Sequence, residues 1–438
     1  MKDTPISKSI VDAKIAESHL ENIGGASIRE LVHLVHDIEN ETGEKFIRME
    51  MGVPGLPPVQ VGVDAEIDAL KSGVAAKYPM IDGIPELKSE ASRFVKRFLD
   101  IDMPASCCIP SVGSMQGSFA AFMVSCRKDR SKNTTLFLDP GFPVQKQQHH
   151  NLGLKYESFD VYDYRGEELR AKLESILEGG HISTIVYSNP NNPSWICFTE
   201  HELKIIGEMS VKYDVTILED LAYFAMDFRS DLSKPGAAPF QPTVAKYTDN
   251  YILLISSSKI FSYAGQRIGF MGIGRDLFNR KFSDLNDYFS SDTFGLAVVY
   301  GALYSLSSGT SHSAQFALAA MLKAVNDGNY NFVESVSEYG RRAEVMKKIF
   351  IDNGFKIVYD LDEGRPIADG FYFTFSYPGM SGEELLESLL YYGISAIALD
   401  ITGSTRSEGL RACVSLIHPD QFNLLRSRLE EFNRDHKG

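Results

Sequence analysis

Positive charge is scarce in this 438-residue chain: 44 Lys and Arg face 58 Asp and Glu, a net charge of -14. Such a chain is a poor general binder of nucleic acid or of an anionic membrane, although a local basic pocket can still hold an anion. No stretch approaches the ~18 apolar residues of a membrane span, and the N-terminal MKDTPISKSIVDAKIAESHLENIGG lacks the apolar core of a signal peptide. Cysteine is sparse too. Cys107, Cys108, Cys126, Cys197 and Cys413 are odd in number, scattered and without CxxC spacing. Neither a disulfide framework nor a zinc site is suggested, and a cytoplasmic location is expected. The ten histidines form no HExxH cluster, so no metal is expected. His149 and His150, in QKQQHHNLG, read as a solvated helix end. Internal repeats and low-complexity tracts are absent.

What is present is an alternation of two patterns. TTLFLD (134–139), STIVYS (183–188), DVTILED (214–220), YILLISS (251–257) and RIGFMGI (267–273) read as buried strands. Helix-like segments such as FTEHELKIIGEMSVKY (198–213) lie between several of them, with apolar residues recurring at three and four. Strands separated by helices imply an α/β fold with a mostly parallel sheet, whose ligands sit beyond the carboxyl ends of the strands. That rule gathers NPNNP, EDLAY and SSSK on one edge. After residue 310 a long helical run (about 311–351) leads to GFKIVYD, DGFYFTFSY and LRACVSL, with helices at 381–392 and 419–433, a separate α+β unit. The expected division is therefore an N-terminal segment (1–65) packing with the small domain, a large domain (66–310) and a small C-terminal domain (311–438).

Residues 256–267 read SSSKIFSYAGQR. Taken alone, Lys259 is a loop lysine. An ammonium this close to the end of a buried strand is costly, however, and a lysine that gives up its proton can form a Schiff base with a carbonyl cofactor. Ser256 and Arg267 flank it with a hydroxyl and a guanidinium fork suited to a phosphate dianion. Asp220, in ILEDLAYF, ends another buried strand, where a carboxylate needs a positive partner such as a protonated pyridine nitrogen. Tyr223 would reach a phenolate oxygen on that ring, although an isolated D-x-x-Y also reads as a helix cap. In NPNNPS (189–194) two Asn-Pro steps fix a turn that presents the amide of Asn192 to the same oxygen. Gly113, Ser114 and Met115 open a helix and offer backbone N–H groups to an anion. Phe142, in DPGFP, is placed to stack on a planar ring.

Together these segments resemble the fold-type I pyridoxal-phosphate enzymes, specifically the class I/II aminotransferase family. The resemblance rests on YPMIDGIPELK (78–88), GSMQ, NPNNPS, DLAY, S-x-x-K with an arginine eight residues after the lysine, and LRACVSL, in the family's order over about residues 45–415. It implies a seven-stranded-type sheet in the large domain, pyridoxal 5'-phosphate as cofactor, and transfer of an amino group between an amino acid and a 2-oxo acid. It also implies roles. Lys259 would carry the cofactor and move the proton at the substrate's Cα; Asp220 would pair with the pyridine nitrogen; Asn192 and Tyr223 would bond O3′. Gly113, Ser114, Met115, Ser256 and Arg267 would hold the phosphate, and Phe142 would stack. Tyr78 would reach the phosphate of a neighbouring subunit, which implies a homodimer. Arg411 would grip the substrate α-carboxylate near Gly52, in MEMGVPG, and near Asn192; alone, an arginine in LRACVSL equally reads as a strand-end ion pair.

The chain departs from the family pattern in three places. Trp195 stands where the family has glycine after NPxNP[ST], which implies a reshaped turn whose indole either walls the pocket or packs against the N-terminal segment. GVPGLPPV follows the usual G-x-P pattern only loosely. FSSDTFGLAV (289–298) has no arginine for a second carboxylate, which argues against a dicarboxylate specialist. The same cofactor set also serves a C–S β-lyase or a decarboxylase, because the protein chooses which Cα bond is activated. A non-catalytic regulator of this fold would carry an N-terminal winged helix, for which about 45 residues leave no room.

Overall fold

The structure, a computed structural model, describes residues 4–437. They form two compact units, one comprising Leu56–Pro190 and Cys197–Val336. The other holds the N-terminal stretch to Gly55, Asn191–Ile196 and the C-terminal stretch from Ser337.

The larger unit is built on seven strands: β1 (Cys108–Ser111), β2 (Thr134–Asp139), β3 (Lys155–Asp160), β4 (Ile182–Ser188), β5 (Thr216–Asp220), β6 (Tyr251–Ser256) and β7 (Gly269–Ile273). Their spatial order is β1-β7-β6-β5-β4-β2-β3. Neighbours are parallel from β6 through β3, whereas β7 runs antiparallel to both β6 and β1. The inner strands β2, β4, β5, β6 and β7 are buried along their whole length. That two-sided burial is why they read as unbroken apolar runs. Edge strand β3 (KYESFD) is mostly exposed and carries alternating polar residues, so apolar content did not reveal it. Helices Pro143–Leu152, Glu167–Leu177 and Glu200–Tyr213 fill three of the four connections between the parallel strands, whereas the β5–β6 connection has only the short turn Val244–Lys246. The helix Glu200–Tyr213 starts at a capping box in which Thr199 accepts from the Glu202 backbone and Glu202 accepts from Thr199. Strands β4, β5 and β6 end at Ser188, Asp220 and Ser256, so the three motifs predicted to share a sheet edge begin there.

The division between units differs from the sequence expectation of 66–310 and 311–438. Helix His312–Asn326 packs against Gln60–Lys71 and Pro85–Leu99. A Cβ at Gly62 would lie 2.7 Å from the Met321 sulfur, so glycine there lets two of these helices approach. These interlocked faces put both helices in the larger unit, with boundaries after Gly55 and Val336.

The smaller unit carries a four-stranded antiparallel sheet in the order Ile397–Ala398, Leu410–Cys413, Tyr372–Ser376, Lys356–Ile357. Helices Ile28–Thr42, Glu338–Asp352, Gly382–Leu390 and Phe422–His436 belong to it. The short strand Ile47–Arg48 pairs in parallel with Ile394–Ser395. Among the described residues no helix is long and apolar enough to cross a membrane. No group of three or more His, Cys, Asp or Glu among them is placed to hold a metal ion.

Candidate active site

In the larger unit the candidate side chains arise where buried strands stop. Asp220 is the last residue of β5 and is 7% exposed. Its Oδ1 accepts from the Ala222 N–H at 3.1 Å and its Oδ2 from Gln145 Nε2 at 3.2 Å. Both donors are neutral. Burial therefore dominates and pushes the Asp220 carboxyl up to about 6. Tyr223, three residues on, is buried. On the neighbouring strand β6, Ser256 caps the short turn Ser257–Ile260, accepting from the Ser258 N–H, and this turn holds a half-buried Lys259.

The candidate anion cradle lies at the start of helix Gly113–Ser125. Gly113 adopts φ +67, and a Cβ there would lie 2.5 Å from Nη2 of Arg267. The glycine thus keeps open the space in front of the guanidinium, while the first N–H groups of the helix lack intrahelical acceptors. Arg267 is exposed and is itself held at φ +51, with Nη1 donating to the Ala264 carbonyl at 2.9 Å. The hydroxyls of Ser111 and Ser114 are buried without hydrogen-bond partners. Phe142 is half-buried at the N-cap of helix Pro143–Leu152.

That helix ties the two features together. Gln145 bonds Asp220, while Gln148 donates to the Met115 carbonyl at 2.8 Å and accepts from Ser118 at 2.8 Å. Neither glutamine was singled out from sequence; the available signal was the spacing of three in QKQQ, which puts both on one face. His149 corrects an expectation. It is fully buried rather than a solvated helix end, with ring nitrogens bonded to the Gln145 carbonyl at 2.9 Å and the Thr135 hydroxyl at 2.8 Å. Burial pushes it down to about 4, so it is neutral at pH 7. His150 is exposed, as expected.

These residues fit pyridoxal phosphate. A glycine-cleared cradle with unbonded hydroxyls and a guanidinium matches a phosphate, and a buried carboxylate facing only neutral donors matches a cationic ring nitrogen.

The smaller unit holds Gly52, Asn192, Trp195 and Arg411. Arg411 lies within strand Leu410–Cys413 and is 2% exposed. Its Nη2 donates to the Glu50 carbonyl at 2.5 Å and its Nη1 to Asn192 Oδ1 at 3.4 Å, while Nε is buried with no partner. No carboxylate pairs with it among the described residues, so the strand-end ion pair is not what is found. The nearby Glu50 carboxylate is committed to Arg48 at 2.7 Å and to the Ser395 hydroxyl at 2.6 Å. Asn192 is buried on a turn closed by the Asn191 N–H to the Ile196 carbonyl at 2.9 Å.

Trp195 overturns the expectation of a reshaped turn. It takes φ +65 itself, the left-handed conformation a glycine would adopt, at a cost of order 1–2 kcal/mol. Full burial of its indole offsets that cost. The ring packs on Gly370 and edge-on to Tyr372, with centroids 6.0 Å apart. Tyr78, by contrast, is 90% exposed and joins no cluster.

The sequence matches the family described as aminotransferase class I and II over residues 44–428. It is 24% identical over 384 residues to a probable aspartate aminotransferase of Methanocaldococcus jannaschii, covering 82% of this chain and 94% of that protein. To an aspartate aminotransferase of Bacillus subtilis it is 23% identical, covering 60% of this chain and 64% of the relative. The fold superposes on an alanine aminotransferase from Pyrococcus furiosus with a TM-score of 0.75 at 18% identity, covering 96% and 99% of the two chains. The chain belongs to the class I and II aminotransferase family, enzymes that use pyridoxal 5'-phosphate to move an amino group between an amino acid and a 2-oxo acid.

Proposed function

We propose that Lys259, Asp220 and Tyr223 perform the chemistry and that Arg411 holds the substrate. The observation that carries this reading is the placement of Asp220 and the Lys259 turn at the carboxyl ends of adjacent parallel strands, in the unit that also contains the Gly113 cradle. Bound pyridoxal phosphate supplies an aldehyde that condenses with amines and a ring that takes up the electron pair left at the substrate's Cα. Lys259 Nζ would accept the proton from the substrate's Cα and deliver it to the cofactor carbon that carried the aldehyde, not back to Cα. Asp220 keeps the ring nitrogen protonated, and Tyr223 and Asn192 donate to the ring's phenolate oxygen. The N–H groups of Gly113, Ser114 and Met115, the Ser256 hydroxyl and Arg267 hold the phosphate, and Phe142 covers the ring. Arg411, a buried guanidinium without a carboxylate, takes the α-carboxylate of the amino acid or oxo acid beside Gly52 and Asn192.

The lack of arginine in 289–298 favours donors with a single carboxylate. The exposed Tyr78 supports a homodimer in which it reaches a partner's phosphate. Five free, buried cysteines support a cytoplasmic setting. Borohydride treatment of the purified enzyme should fix the cofactor covalently to Lys259, and Lys259→Ala should lose both that adduct and transamination. An adduct that persists in the variant refutes the assignment. Release of ammonia and pyruvate from a cysteine conjugate, without any oxo acid acceptor, would instead identify a lyase.

A further inference from the structure

Trp195 is the chain's only tryptophan and sits where its family has glycine. Its surroundings show why the larger side chain is kept. A Cβ at Gly370 would lie 2.1–2.2 Å from three atoms of the indole, so the slot for the ring exists only because residue 370 has no side chain. The indole meets the edge of Tyr372 at an interplanar angle of 72°. The Tyr372 ring in turn lies under the Arg411 guanidinium, 4.5 Å from centroid to carbon. At its far end, the Tyr372 hydroxyl fills the space a Cβ on Gly52 would need, 2.1 Å away. Tyr372 is thus confined on three sides by Trp195, by the Gly52 backbone and by Arg411. Hydrogen bonds alone fix Arg411 loosely: one strong bond to the Glu50 carbonyl, one long bond to Asn192, and an Nε with none.

We propose that Trp195 and Tyr372 form an aromatic clamp that sets the plane of the Arg411 guanidinium, making both of them positioning residues for the substrate α-carboxylate. Cation–π contact holds the guanidinium against the tyrosine ring, and the tryptophan edge keeps the tyrosine from turning away. A carboxylate bound bidentately depends on that plane more than on the charge. The clamp acts on the group that amino acids and oxo acids share, and so it does not choose among side chains. Gly370 and Gly52 are its steric counterparts.

This inference rests on Arg411 binding the carboxylate, and the test separates the two. In the holoenzyme, Tyr372→Leu and Trp195→Gly are expected to raise KM for donor and acceptor by the same factor, roughly tenfold, with kcat little changed. Tyr372→Phe keeps the ring against Trp195 and Arg411 and is expected to lose much less than Tyr372→Leu. A 2-methyl amino acid, which binds but has no Cα proton to lose, should show the same weakening in a spectral titration. Gly370→Ala should destabilise the protein, and adding Trp195→Gly should restore its melting temperature. If Arg411→Ala raises KM while Tyr372→Leu leaves it unchanged, the clamp is wrong and the carboxylate role stands. If Arg411→Ala leaves KM unchanged, the carboxylate role itself fails. A Trp195→Gly enzyme whose preference among donor side chains changes would make the indole a side-chain wall and overturn the proposal. Should Trp195→Gly fail to fold, Tyr372→Leu against Tyr372→Phe decides alone.

Discussion

Each unit buries a charged candidate-site group without a counter-ion, and the two groups are of opposite sign. In the larger, Asp220 faces two neutral N–H donors; in the smaller, Arg411 faces a backbone carbonyl, an amide oxygen and an aromatic ring. Among the other buried charges, Glu219 and Lys128 meet hydroxyls and Arg428 a backbone carbonyl, while others are paired. Glu202, fully buried, meets Arg165 at 2.6 Å, and Glu50 meets Arg48 at 2.7 Å. A charge removed from water without a partner is expensive, and such groups concentrate at functional sites. In the proposed reading the carboxylate takes a cationic pyridine ring and the guanidinium takes a substrate carboxylate.

The contrast can be broken first at Asp220. Asp220→Asn retains the shape but leaves the ring nitrogen without its anion, and should cost about 3–5 kcal/mol of transition-state stabilisation, read as kcat/KM with cofactor bound. An unchanged rate would show that the carboxylate is merely structural. On the other side, Arg411→Ala should raise KM for amino acids by about 2–5 kcal/mol of lost binding, with kcat less affected.

A third measurement compares stability with pH. The folded-state value of Asp220, about 6, lies above its ordinary 3.8 because of burial. The folded, cofactor-stripped protein therefore binds more protons than the unfolded chain between those values. Its stability is expected to fall as pH rises from about 4 to 6, by on the order of 3 kcal/mol from this group. Asp220→Asn should remove that slope, and bound cofactor should suppress it by supplying the cation. Glu219, buried and pushed up to about 7, adds a similar slope reaching higher pH that survives in the variant. Urea unfolding across pH 4–8 reads both. The smallest effect belongs to Gln145→Leu, which leaves Asp220 one donor short. A penalty of about 1–3 kcal/mol is expected, together with a ring-nitrogen 15N shift moved toward the unprotonated value. A neutral result would show that the Ala222 N–H suffices.

Much of the larger unit was legible because its inner strands are buried on both faces and must be apolar throughout. Lys259 and Asp220 stood out as charged residues at or just past such runs, and the Gly113 turn as small residues running into a helix. Edge strand β3 escaped notice because it is mostly exposed and so carries no apolar run. His149 was misread because HH in a polar segment looks solvated, whereas Thr135 and the Gln145 carbonyl satisfy its ring inside the fold. The boundary near residue 310 was displaced because helical periodicity reports that a face is buried but not against which unit.

The sequence alone determined the parallel sheet, the order of the motifs and the chemical type of each strand-end group, since these follow from local spacing and from the cost of burying polar atoms. Tertiary structure decided which buried charges remain without a partner. It also decided that Gln145 meets Asp220 and that an indole at 195 fits because 370 is glycine. Those contacts join residues far apart along the chain, where only close packing makes one side chain conditional on another.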